Sequence, residues 1–313
     1  MLASLSAVLP VFALILVGWI AAKTKALGPA ATREVNRLVV QLALPALLFD
    51  IVANASLDQI WQPNFILAFG LGCAIVFALT IFLRLRQGRR LADAAIDSLN
   101  ASYANTGFIG FPLVLAAVGD SVIGLTLVAN LVTVCVLFGV ALVLVESGLQ
   151  TGGSRRDIGL KTLSSLARNP LIIAPALGAA VLASGWTLPA PVQTFLDLLG
   201  GAASPCALIA LGLFMANTPS RKGGGGTITA SLLVCTKLIV HPAITWLIAG
   251  PILRLPSDMA FMAVLLAALP TGTGPFMLAE FYEREATLTS RVVLLSTILS
   301  LLTVSAYLAF AHP

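Results

Sequence analysis

Ten apolar stretches of about 20 residues each, separated by short polar segments, restrict this chain more than any other feature. Their centres lie near Leu14, Leu44, Ala74, Thr106, Cys135, Leu177, Ala207, Leu238, Ala268 and Leu301. A hydrocarbon core of roughly 30 Å is crossed by about 20 helical residues, so each stretch is long enough to span a bilayer. Composition agrees, since 58% of the 313 residues are hydrophobic and only 10% are charged, whereas soluble domains carry about 25% charged residues. The runs are long and do not alternate, which fits helices that satisfy their own backbone hydrogen bonds rather than barrel strands. The sequence therefore predicts an all-α integral membrane protein with ten transmembrane helices.

The net charge of +5 could point to an anionic partner such as nucleic acid. Its distribution gives a different reading. Lys23, Lys25, Arg33 and Arg37 flank the first loop, Arg84, Arg86, Arg89 and Arg90 the third, and Arg155, Arg156, Lys161 and Arg168 the fifth. Arg221 and Lys222 belong to the seventh loop, and Arg284 and Arg291 to the ninth. Of the 18 basic residues, only Arg254 and Lys237 stand elsewhere. Positive charge marks the cytoplasmic side, so the odd loops are expected inside and both termini outside a plasma (inner) membrane. The basic balance reports topology, and no nucleic-acid partner is expected. The N-terminal "MLASLSAVLPVFALILVGWIAAKTK" lacks a basic leading region and carries its lysines after the apolar run, so it reads as a first membrane helix and not a cleaved signal. Cys73, Cys135, Cys206 and Cys235 all fall within apolar runs without CxxC spacing, and read as packing residues.

The chain also repeats itself. "PVFALILVGWIA" from Pro10 and "PLIIAPALGAAV" from Pro170 share Pro and Gly at a shift of about 160, and "LALPALLF" around Pro45 matches "AASPCALI" around Pro205 at the same shift. "NTGFIGFPLVLA" from Asn105 matches "PTGTGPFMLAEF" from Pro270 through a shared Thr-Gly. Five spans per half is an odd number, so the second half must enter the membrane in the opposite sense. The expected organisation is a first five-helix repeat over 1–145, a cytoplasmic linker over 146–169 and an inverted second repeat over 170–313. "GGGG" at Gly223 to Gly226 has no preceding strand and no following Gly-Lys-Ser/Thr, so it reads as a flexible loop rather than a phosphate loop.

The fourth and ninth spans are broken at their centres. Pro112 cannot donate one turn back and Gly107 and Gly110 loosen the same turn, while Pro270, Gly272, Gly274 and Pro275 crowd into six residues of the ninth span. Such backbone survives at membrane depth only where protein or a watery cavity satisfies it. Matched breaks in two inverted halves point to a central binding site, where half-helix N-termini attract anions. Asn105, Thr106, Thr271 and Thr273 can add side-chain hydrogen bonds there. Packing kinks alone are the competing explanation.

"NASYANTGFIGFPLV", with "LALPALLF", "KLIVHPA" and "LPTGTGPF", resembles the auxin efflux carrier family, which includes plant PIN-type carriers and bacterial carriers of malonate-like organic acids. The resemblance runs over the whole chain. It implies a ten-helix fold like that of bile-acid and sodium/proton carriers, with helices 4 and 9 unwound and crossing at mid-membrane. It also implies that the first two helices of each repeat form a scaffold domain and the other three a transport domain. By the same resemblance Asn105 and Pro112 lie at the crossover, and Asn105 contacts a substrate carboxylate. Ala104 stands where plant members have a proline, and about 24 residues replace their long cytoplasmic loop, so the pattern is that of a compact bacterial carrier.

Lys237 in "LLVCTKLIVHPAITW" is a cation inside a span, where it costs at least about 2.5 kcal/mol unless it faces protein or water. It either occupies or replaces a cation site, counters the substrate's charge, or is structural. His241, one turn on, is a proton-relay candidate or a structural hydrogen-bonder. Asn130 is deep enough in the fifth span to reach a pocket, whereas Asn36, Gln41 and Asn100 are expected to tie helices together. Asp50, Asp197 and Glu280 lie near span ends.

Together these residues predict a carrier of a small organic anion working by alternating access, secondary active or facilitative. Its substrate site would draw on Asn105, Thr106, Gly107, Pro112, Asn130, Pro270, Thr271, Gly272, Thr273 and Pro275, with Lys237 and His241 as coupling candidates. The partners expected are a small carboxylate, the lipid bilayer and a second copy through the scaffold helices. A receptor or channel on the same fold is the alternative. No metal or cofactor motif is present, and with only His241 and His312 and no paired mid-span carboxylates, an enzyme is not expected.

Overall fold

The computed structural model describes residues 2–28, 30–55, 61–119, 122–150, 155–217 and 224–310. Six helices are long and apolar enough to cross a membrane: α2 (Ala31–Ala53), α3 (Pro63–Arg86), α6 (Ile123–Leu149), α9 (Ala190–Asn217), α10 (Gly226–Ile252) and α13 (Ala286–Phe310). Around them stand α1 (Leu2–Lys23), α4 (Leu91–Ser102), α5 (Thr106–Ala117), α7 (Arg155–Leu166), α8 (Pro170–Ser184), α11 (Ser257–Ala267) and α12 (Gly274–Phe281). The described residues hold helices and a single isolated β-bridge, so the chain is an all-helical membrane protein.

The helices sort into two packed groups. In one, α1 lies along α9, and α2 along α8 and α9. The α1–α9 crossing is close enough that only glycine fits. A Cβ on Gly18 would stand 2.2 Å from the Ile209 carbonyl oxygen, and one on Gly212 2.0 Å from that of Ile15. Small residues permit such backbone approach where lipid tails compete equally for apolar side chains. In the other group α3 packs on α4, α4 on α6, and α10 on α3, α11 and α13. Here α4 is buried from Ala92 to Ser102, and α11 from Phe261 to Ala267.

Several helices carry a widened π-type turn directly before a proline. Leu44 N–H bonds Val39 O ahead of Pro45, Phe111 N–H bonds Thr106 O ahead of Pro112, and His241 N–H bonds Thr236 O ahead of Pro242. Inserting one residue into the turn moves the preceding carbonyl away from the proline ring, so the helix continues where a regular α-helix would clash. The segment 146–169 carries the end of α6 and then α7, with residues 151–154 outside the described ones. Arg221, Lys222, Gly223 and His312 also lie outside them, whereas Gly224 to Gly226 open a helix instead of continuing a loop.

Candidate functional site

The fourth and ninth apolar stretches are each split in two, and the splits meet. Between α4 and α5 the chain is extended at Tyr103, and between α11 and α12 it leaves the helix over residues 269–273. Ala104 and Thr271 form an antiparallel bridge, flanked by Asn105 N–H to Pro270 O at 2.9 Å and Gly272 N–H to Tyr103 O at 3.2 Å. Backbone groups freed by breaking one helix are thus satisfied by the other. That pairing removes the cost of several kcal/mol that an orphan amide incurs at this depth.

Glycine is required on one side of the contact. A Cβ on Gly274 would lie 2.7 Å from Tyr103 Cζ, and one on Gly272 2.8 Å from Tyr103 Cε1. The Tyr103 ring fills this space and stands edge-on to Phe138, with centroids 6.1 Å apart.

At the start of α5, Asn105 acts as the N-cap. Its Oδ1 accepts from Phe108 N–H at 3.3 Å, and its carbonyl accepts from Ile109 and Gly110 N–H. With Oδ1 engaged, the amide Nδ2 of Asn105 makes no hydrogen bond among the described residues. Thr106 Oγ1 donates to Asn130 Oδ1 at 2.9 Å, fixing that amide against Gly107. The N–H of Gly107, in the first turn, has no helical carbonyl to reach, as is general for the first residues of a helix. Among the described residues these two donors are left without a partner at one spot, the N-terminal, positive end of α5.

That spot borders a cavity of about 420 Å³. Asn105, Thr106, Gly107, Asn130, Thr273 and Ser204 give it polar edges, and Leu44, Leu47, Ile51, Phe108 and Leu127 form apolar walls. No Lys, Arg, His, Asp or Glu lines it. An anion held here would rest on helix-end N–H groups and side-chain amides, which bind carboxylates without a counter-ion.

The other sequence candidates do not line this cavity. Pro112 lies exposed in the second position after the widened turn, and Pro275 is buried near the start of α12. Pro270 contributes its carbonyl to Asn105, and Gly272 lies under Tyr103. Thr271 faces the protein interior, where its Oγ1 donates to Asn100 O at 2.8 Å and its N–H to Ser296 Oγ at 3.1 Å. Lys237 and His241 are fully buried beside α11, away from the cavity wall. Asn36 ties helices, donating to Met277 O at 3.1 Å.

Sequence reasoning did not pick out Tyr103, Phe108, Ser204 or the α2 wall as cavity-forming. Ser204 had a signal, since it precedes Pro205 in a segment already matched to α2. The α2 leucines had none, because an apolar residue in a membrane helix looks the same whether it faces lipid or a cavity.

Comparison with known proteins agrees with the geometry. A family model described as membrane transport protein matches residues 3–308. A Rhizobium meliloti (strain 1021) protein named "Putative malonate transporter" is 30% identical over 311 residues, covering 96% of this chain and 93% of its own. The uncharacterised transporter YfdV of Escherichia coli (strain K12) is 26% identical over 303 residues, covering 93% of each. Auxin efflux carrier component 8 of Arabidopsis thaliana is 24% identical over 353 residues, covering 96% of this chain and 95% of its own. Two broken helices paired through their backbones, in a chain matched almost end to end by that family model, make this protein a member of the membrane transport protein family of the auxin efflux carriers, and not an enzyme.

Proposed function

We propose that the protein is a secondary carrier of a small organic anion, built as two inverted five-helix repeats. Helices α1, α2, α8 and α9 form the scaffold, and the remaining spans form a transport body holding the crossover. The observation that carries this reading is the antiparallel pairing of Ala104 with Thr271, next to a cavity between α2 and α9 on one side and α5 and α6 on the other. One substrate carboxylate takes its hydrogen bonds from Asn105 Nδ2 and Gly107 N–H, the apolar walls receive the hydrocarbon part, and the second carboxylate of a dicarboxylate faces the polar edge formed by Asn130, Ser204 and Thr273. Ile51, near the end of α2, and Leu127, near the start of α6, place part of the cavity wall toward the helix ends opposite the basic loops, which is the outside by the charge rule. The likeness to the Rhizobium meliloti protein makes malonate the first substrate to try.

Reconstituted vesicles loaded with unlabelled malonate and given labelled malonate outside should show saturable exchange, suppressed by competing organic acids. Binding without flux would favour a receptor, and non-saturable flux a channel. Asn105→Asp separates the two roles of that residue. Aspartate keeps the N-cap acceptor, but puts a negative charge where the amide donor stood. The variant should melt like the wild type and lose anion binding by more than 100-fold. Unchanged affinity would remove Asn105 from the site.

A further inference from the structure

The crossover leaves two helix C-termini inside the protein, and the structure satisfies them unequally. At the end of α4, Thr271 Oγ1 donates to Asn100 O and Gly272 N–H to Tyr103 O. At the end of α11 the partner is a cation. Lys237 Nζ donates to the carbonyl of Ala267, the last residue of that helix, at 2.6 Å. The same ammonium lies 3.2 Å from His241 Nδ1, and His241 Nε2 lies 3.5 Å from Cys73 Sγ. With Lys237 as an ammonium, which has donors only, Nδ1 is the acceptor and Nε2 carries the imidazole proton toward the sulfur.

Lys237 and His241 are both 0% exposed, and no carboxylate comes within ion-pair distance of Lys237 among the described residues. A buried ammonium without a carboxylate needs another source of negative potential. The C-terminus of α11 supplies it, since the last carbonyls of a helix are unpaired and carry about half a negative charge. In secondary transporters generally, half-helix C-terminal ends and unwound carbonyls coordinate the coupling cation. In this chain that kind of position is already filled by a covalently attached one.

We propose that Lys237 is a resident cation, a positioning residue that permanently occupies the cation position at the α11 end of the crossover, so that the protein binds no free sodium there. His241 and Cys73 orient the ammonium without being part of the anion site. The inference rests on the carrier reading for its consequence, which is anion movement without a sodium requirement, but its test does not depend on that reading.

Thermal melting of purified protein without substrate decides it. Replacing sodium by N-methyl-D-glucamine at constant ionic strength should leave the wild-type Tm unchanged. Lys237→Ala should lower Tm by about 5 °C or more, and n-propylammonium, which restores the deleted atoms with their charge, should recover part of the loss. Propan-1-ol, of similar shape but neutral, should not. Lys237→Met, which keeps the volume, should melt below the wild type. The proposal is overturned if Lys237→Met melts as the wild type does, if propan-1-ol rescues as well as n-propylammonium, or if sodium raises the wild-type Tm. If Lys237→Ala does not fold, the sodium comparison and Lys237→Met still decide. A failure of malonate exchange in vesicles would leave these melting results standing, and their failure would leave the exchange result standing.

Discussion

At the residue scale the crossover depends on what is missing as much as on what is present. Gly274 and Gly272 lack the side chains that would strike Tyr103, and the ring has little room to retreat because Phe138 stands against it. Gly274→Ala should therefore destabilise by about 1–3 kcal/mol, the usual cost of overpacking. Adding Tyr103→Leu should return a large part of that loss, measured as the Tm of the double variant against both singles. Additive losses would mean that the ring is not what the new methyl meets. The glycines were legible in the sequence as helix breakers, but their partner was not. Tyr103 precedes Asn105 by two residues, yet only the antiparallel pairing brings it under α12.

Elements are joined by different physics at different depths. Mid-membrane contacts are backbone pairs and buried amides, whereas the ends of α3 and α4 and the segment after α12 meet through charge. Arg284 makes two bonds to Asp93, at 2.8 and 2.7 Å, Arg84 bonds the fully buried Asp97 at 2.7 Å, and Arg89 reaches Glu285 at 2.7 Å. The Arg284 and Asp93 side chains are 20% and 11% exposed, so the pair is screened less than a surface bridge. Arg284→Ala and Asp93→Ala should each cost about 1–3 kcal/mol, typical of hydrogen bonds to charged groups. The double variant should fall short of their sum by about 1 kcal/mol or more in denaturant unfolding; strict additivity would deny the coupling. The sequence reading placed Arg284 only by the charge rule, because its partner lies 191 positions away. It also took Pro112 as the break in the fourth span. The structure instead absorbs Pro45, Pro112 and Pro242 with a widened turn and breaks the fourth stretch at residues 103–105. Pro112 signalled the right helix but the wrong turn, since a proline reports only a missing donor and the chain can answer that by widening as well as by breaking.

At the scale of the whole molecule, the two helix groups touch unevenly. On the side of the basic loops, three polar contacts bind α2 and the start of α8 to the end of α12. They are Arg33 to Glu283 at 2.7 Å, Asn36 to Met277 O at 3.1 Å and Asn169 to Tyr282 Oη at 3.4 Å. On the opposite side the groups part around the cavity. If alternating access is a relative movement of the two groups, these three contacts form its closed gate and must separate in each cycle. The Arg33–Glu283 pair, with side chains 59% and 70% exposed, contributes little energy and is free to break. Asn36 is 1% exposed and holds the gate in the dry interior, where losing its bond to Met277 O, a carbonyl that keeps its place in the α12 ladder, costs about 1 kcal/mol. Cysteines placed at 33 and 283 and joined by a disulfide-containing thiol cross-linker long enough to replace the Arg and Glu side chains, in a background lacking the four native cysteines, should abolish malonate exchange while leaving malonate binding intact. Reduction should restore exchange. Asn36→Ala should act in the opposite direction, weakening the closed gate and raising the cysteine reactivity of a label at position 277 several-fold. Full exchange through the cross-linked protein would show that the two groups need not move apart at this face, and the gate would have to lie elsewhere.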